Sequence, residues 1–200
     1  RTAYGVLSSC AGIAANALLF AGKLAVGIIS GSVAITADAV NNLSDASSSV
    51  ISLLGFRLAG RPADEEHPYG HGRYEYLSGL MVAILIIVIG VELVKTSFDK
   101  ILHPSEVEFS LVTAAVLLAS IGVKLWMMAF NRRIGRKIDS KTLIATAADS
   151  RNDVISTSAV LISSVVSHYS GLELDGYMGL GVAAFILIAG FGLVRETLDP

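Results

Sequence analysis

The chain has 200 residues, 53% of them hydrophobic and 16% charged, with a mean hydropathy of +0.65, which is too apolar for an ordinary soluble domain. A net charge of −2 carries little information by itself, and no nucleic-acid partner is expected. The single cysteine, Cys10, excludes a disulfide within the chain and a thiolate metal site, and reads as a small core residue.

A membrane-spanning helix needs about 20 apolar residues, and six runs qualify. The first covers residues 4–29. It lacks the basic start of a cleaved signal, and because the chain begins at Arg1, further N-terminal residues are expected. Ala17, Ala21 and Ala25 recur within it at the spacing that lets membrane helices approach closely. The second run, 33–58, follows the short link Ser30-Gly31-Ser32, which forces an antiparallel hairpin. The link over 60–72 carries Pro62, Pro68, Gly70 and Gly72 and should be a turn-rich loop. In the third run, 74–98, the stretch Ile84–Ile89 has no polar side chain and is expected to face lipid or a partner subunit. The fourth, 109–130, is apolar apart from Ser120 and Lys124. Glu92, Lys95 and Lys124 read as charges that pair with one another or reach for the membrane surface. The fifth and sixth runs cover 142–166 and 177–194. The expected architecture is all-α: a polytopic membrane protein whose single domain, residues 1–200, is a six-transmembrane-helix bundle. A C-terminal cytoplasmic domain is expected to lie outside this chain.

The basic residues give the orientation. Arg57, Arg61 and Arg73 flank the link between the second and third runs, and Arg132, Arg133, Arg136, Lys137 and Lys141 flank that between the fourth and fifth. The alternate links, 30–32, 99–107 and 167–176, hold only Lys100. The positive-inside rule therefore puts both termini and both basic loops in the cytoplasm.

Two polar pairs stand inside the second and fifth runs: Asn41 with Asp45, and Asp149 with Asp153. Residues four apart project from one helix face, about 40° from each other. A carboxylate at the centre of a membrane helix costs roughly 2.5–3.5 kcal/mol, so three left unpaired would cost on the order of 8–10 kcal/mol. A divalent cation shared by the two helices is the simplest compensation. The bland alternative is a packing cluster of Asp with Arg or Asn, for which Arg151 and Asn152 are available. Asp38, seven residues before Asp45, lies on nearly the same face. It either steers protons or the released ion, or bonds a neighbouring helix. Asp64, His67 and His71 follow the spacing Asp-x2-His-x3-His, a plausible ligand set for Zn²⁺ or another transition metal, or else a solvated turn. His103 and His168 stand alone and read as surface histidines.

The stretches from Gly31 to Asp45, from Pro62 to Glu75 and from Ala147 to Asp153 resemble the second helix, the first cytoplasmic loop and the fifth helix of the cation diffusion facilitators. The resemblance covers all six runs. It implies metal-ion/proton antiport by alternating access, usually as a homodimer, with the transport site on Asn41, Asp45, Asp149 and Asp153. Zinc transporters of that family typically carry His or Asp at the position of Asn41 and His at that of Asp149. The Asn/Asp/Asp/Asp set is that of the manganese-type branch, and carboxylate and carbonyl oxygens suit Mn²⁺, whereas imidazole suits Zn²⁺. The resemblance also implies a second, cytoplasmic metal site on Asp64, His67 and His71 in some members. It implies charges at Arg73 and Asp199 that hold the dimer or its gate.

The expected activity is therefore Mn²⁺ efflux coupled to H⁺, with Zn²⁺, Fe²⁺, Co²⁺ or Cd²⁺ as alternative cargo and a non-transporting metal sensor as the alternative role. The expected setting is the lipid bilayer of a prokaryotic plasma (inner) membrane. An intramembrane aspartyl protease is disfavoured because two acids would have to share a proton, whereas three acids and an amide stand here without a Gly-x-Gly-Asp signature. A channel is disfavoured because rings of charge around a symmetry axis differ from four groups within one chain.

Overall fold

The computed structural model describes residues 2–58 and 72–198, and the described residues form six helices and no strand. These are α1 (Thr2–Ser30), α2 (Val33–Leu58), α3 (Gly72–Leu102), α4 (Leu111–Ile138), α5 (Lys141–Ser170) and α6 (Asp175–Leu198). At 24 to 31 residues each, they are about 36–46 Å long, enough to cross a hydrocarbon core of about 30 Å with both ends in the headgroup region. Four of them, α1, α3, α4 and α6, are long and apolar enough to cross a membrane by composition alone. The other two, α2 and α5, are more polar because they carry the acids, amides and hydroxyls that the bundle encloses.

Local chemistry sets the helix ends. Ser110 and Ser140 cap α4 and α5, their hydroxyls accepting from the backbone N–H of Thr113 and Leu143. Gly171 closes α5 in the left-handed region, and Gly31 turns α1 into α2 with φ +68°, a conformation that costs glycine nothing. The start of α2 is capped from two sides. Ser32 accepts from Ile35 N–H, and the buried Asp175 carboxylate, from the start of α6, accepts from Ser32 Oγ and from the N–H groups of Val33 (2.8 Å) and Ala34 (3.4 Å). A carboxylate there satisfies orphan donors and complements the helix dipole.

The helices pair most extensively as α1 with α2, α3 with α6 and α4 with α5, and α2 lies centrally, touching α1, α3, α5 and α6. The apolar core joins Ala34, Ile35, Ala37 and Val40 of α2 to Ile86 and Leu93 of α3, Leu117 of α4, Val160 of α5 and Val182, Ala183 and Ile186 of α6. The closest approaches use glycine. At Gly27 a Cβ would meet Thr36 Oγ1 at 2.6 Å, and at Gly179 it would meet Ser97 Oγ at 2.8 Å.

Two expectations about α1 need correction. Ala17, Ala21 and Ala25 are exposed rather than packed, and Cys10 is exposed rather than in the core. The polar Asn16 and Lys23 determine which face of α1 turns inward, because both must find partners inside the bundle. In α3 the stretch 84–89 divides: Ile84, Leu85 and Val88 are exposed, whereas Ile86 is buried.

Candidate metal centre

The polar side chains of α2 and α5 meet inside the bundle, and buried lysines from two other helices reach them. Lys124, from the middle of α4 and only 1% exposed, places its ammonium 2.8 Å from Asp45 Oδ2, 2.6 Å from Asp153 Oδ2 and 2.6 Å from Asn16 Oδ1. Those three acceptors use the three donors of an ammonium. The other Asp153 oxygen accepts from Asn41 Nδ2 at 2.7 Å. The arrangement is a cation held by an oxygen-rich cluster drawn from α1, α2 and α5.

A second buried cation lies beside it. Lys23 of α1 donates to Asp38 (2.8 Å), Asn42 (2.8 Å) and Thr157 (3.0 Å) and is wholly buried. Thr157 in turn donates to Asp38 Oδ2 at 2.8 Å, and Ser156 donates to Asp38 Oδ1 at 3.4 Å. Asn42 connects the two cations. Its Oδ1 accepts from Lys23, and its Nδ2 donates to the same Asn16 oxygen that Lys124 holds. Every polar group in this chain of contacts thus has a partner, which a buried network requires if it is to be stable.

Of the four residues read from the sequence as a transport site, Asn41, Asp45 and Asp153 come together around Lys124. Asp149 lies one turn before Asp153 on α5 and is exposed. Asp38 bonds neighbouring helices, through Lys23 of α1 and Thr157 of α5. Arg151 is exposed, so the basic partner of Asp153 comes from another helix. Asp64, His67, His71 and Asp199 lie outside the described residues, as does the side chain of Arg73. His103 pairs with Asp99 at 3.2 Å on the surface, and exposed His168 contacts Phe109 and Tyr169. Among the described residues no group of three His, Cys, Asp or Glu side chains stands at mutual metal-binding distance.

Lys124 departs from the expectation of a pairing with Glu92 or Lys95, or of a surface-seeking stem. Glu92 and Lys95 pair with each other at 3.7 Å on the exposed face of α3, and Lys124 points inward. Lys23 and Asn16 received no attention from the sequence. The available signal was their spacing of seven, which puts an amide and a lysine on one face of an otherwise apolar helix.

The transmembrane domain of the cation efflux family matches residues 9–199 of this chain. An uncharacterized transporter of Methanocaldococcus jannaschii is 29% identical over 187 residues, covering 94% of this chain and 66% of that protein. The manganese efflux system protein MneS of Bacillus subtilis is 28% identical over 185 residues, 92% of this chain and 64% of MneS. The cation-efflux pump FieF of Klebsiella pneumoniae is 32% identical over 203 residues, 98% of this chain and 68% of FieF. The chain thus spans about two thirds of the length of these curated relatives. With residues 9–199 matched and six helices among the described residues, the chain belongs to the cation efflux family, the cation diffusion facilitators.

Proposed function

We propose that this domain moves a divalent metal cation, Mn²⁺ in the first place, across a membrane by alternating access in exchange for protons. The observation that carries the reading is the cluster itself: Asp45, Asp153, Asn41 and Asn16 converge inside the bundle and already hold a cation, the Lys124 ammonium. Asn41, Asp45, Asp149 and Asp153 are the ligands, with water completing the shell. An all-oxygen set favours Mn²⁺ over Zn²⁺, and likeness to a protein named as a manganese efflux system supports the same cargo. Protons and metal compete for the same carboxylates, since metal binds only their deprotonated form. On a more acidic far side, protons displace the ion, and the carboxylates return protonated.

The helices run so that the links 30–32, 99–107 and 167–176 face away from the cytoplasm, and both termini face it. The first two of these links are tied together: Lys100 Nζ donates to Gly31 O at 2.9 Å, and Glu108 N–H donates to Ser30 O at 3.0 Å. The setting is a prokaryotic plasma membrane and the assembly a homodimer, with Arg73 and Asp199 as charges that hold it. Asp64, His67 and His71 form a second, cytoplasmic metal site whose imidazoles favour Zn²⁺-like ions.

Purified protein in liposomes loaded with a metal-sensitive dye tests this reading. Under an inward metal gradient and a pH gradient, Mn²⁺ flux should exceed Zn²⁺ flux and should alkalinise the lumen in step, because protons leave as metal enters. Asp45→Ala and Asp153→Ala should each lower the flux by more than the roughly 10–100-fold that loss of a mere outer-shell partner of a metal ligand costs. Wild-type Mn²⁺ flux in both variants would overturn the assignment.

A further inference from the structure

The oxygens that would hold the metal are the ones that hold Lys124. Its Nζ stands 2.8 Å from Asp45 and 2.6 Å from Asp153, on acids of two different helices. A metal ion bridging the same two carboxylates would lie in the same space, and two cations cannot share it. Building on the reading of these acids as the metal site, we propose that Lys124 is a tethered cation that holds the ion's place between Asp45 and Asp153 and withdraws onto Asn16 and Ser120 when metal enters.

Three observations carry this. First, Asn16, which stands on α1 and not on either acid's helix, already accepts from Lys124 Nζ at 2.6 Å, so the ammonium keeps one partner as it leaves the carboxylates. Second, Ser120 is fully buried and its hydroxyl has no hydrogen-bond partner among the described residues. An orphaned buried hydroxyl is unusual in a well-paired interior and calls for an explanation. Ser120 lies one turn before Lys124 on the same helix face, and side chains on a helix lean toward its N-terminal end. The flexible lysine stem can therefore carry its ammonium back to that oxygen. Third, the charges suit a divalent cargo. Asp45 and Asp153, once the ammonium has withdrawn from them, present two negative charges, which one divalent ion neutralises. Lys124 thus keeps the pair of carboxylates compensated before the ion arrives. It is a positioning and selectivity residue and no ligand.

Calorimetric titration of the purified protein with Mn²⁺ tests the proposal. Lys124→Met removes the charge at nearly constant bulk and should tighten Mn²⁺ binding by at least about ten-fold, the low end of measured couplings between close charges. A lysine that served only to hold helices together would weaken or leave unchanged the affinity when replaced, and either result overturns the proposal. If Lys124→Met does not yield folded protein, Ser120→Ala decides. It should weaken Mn²⁺ binding by about ten-fold, because the withdrawn ammonium loses a partner, while thermal stability without metal is unchanged or raised, because an unpaired buried hydroxyl is removed. Unaltered affinity in Ser120→Ala overturns the proposal. Asp45→Ala separates this idea from the one it rests on. If that variant binds Mn²⁺ like the wild type, the metal site lies elsewhere. If it does not bind while Lys124→Met binds no more tightly than wild type, the site stands and the tether falls.

Discussion

Replacing Lys23 by Met isolates the second buried cation from the first. Lys23 is wholly buried, and its ammonium is the cationic partner of Asp38, itself 0% exposed. Methionine fills similar space but leaves Asp38 with two hydroxyl donors, Thr157 at 2.8 Å and Ser156 at 3.4 Å, and leaves Asn42 Oδ1 without its donor. Breaking a buried ion pair from one side costs roughly 3–5 kcal/mol. Total stability is typically about 5–15 kcal/mol, so roughly a fifth or more of it should be lost. For a chain of this size that corresponds to a fall in Tm of roughly 6–20 °C. Thermal unfolding in detergent, followed by loss of helical signal, reads the effect. Removing both charges in Lys23→Met/Asp38→Leu should recover most of the loss, because a well-packed apolar pair replaces a buried ion pair at little or no cost. A single variant within about 1 kcal/mol of wild type, far below the expected cost of a broken buried pair, would refute the reasoning. So would a double variant as unstable as the single.

Asp175→Ala should cost about 1–3 kcal/mol in the same assay, since it strips the cap from the Val33 and Ala34 N–H groups and from Ser32 Oγ. Asp175→Asn, which keeps one acceptor oxygen, should cost less. Gly27→Ala should destabilise by about 1–3 kcal/mol through overpacking, because the added carbon meets Thr36 Oγ1 at 2.6 Å and Thr36 N at 3.0 Å. Better helix propensity, worth up to about 1 kcal/mol, offsets only part of that. Pairing Gly27→Ala with Thr36→Ala should relieve much of the loss, which a double-mutant cycle would measure.

The all-α bundle was legible because four of the spans, α1, α3, α4 and α6, are long, mainly apolar runs bounded by turn residues or charge. The two helices that matter most were legible for the opposite reason. Asn41, Asp45, Asp149 and Asp153 stand out because carboxylates and amides are rare within such runs. What the sequence concealed was orientation. Lipid is as apolar as a bundle core, so the hydrophobic pattern of a membrane helix does not say which face turns inward. The exposed Ala17, Ala21 and Ala25 stripe and the exposed Cys10 are consequences of that ambiguity. The lysines were hidden for another reason. Lys124 is 79 residues from Asp45 and Lys23 is 134 from Thr157, so no local spacing pairs them. Lysine's ability to reach the membrane surface made an inward role for Lys124 easy to discount. Its depth, near the middle of α4, favoured an internal partner.

Anomalous diffraction from crystals of the protein grown with Mn²⁺ tests the central claim most directly. The account predicts a single strong peak inside the bundle at bonding distance from Asp45 and Asp153 oxygens, with Lys124 Nζ moved away from both carboxylates. A Mn²⁺ peak remote from α2 and α5, with Lys124 still seated between the two acids, would contradict it.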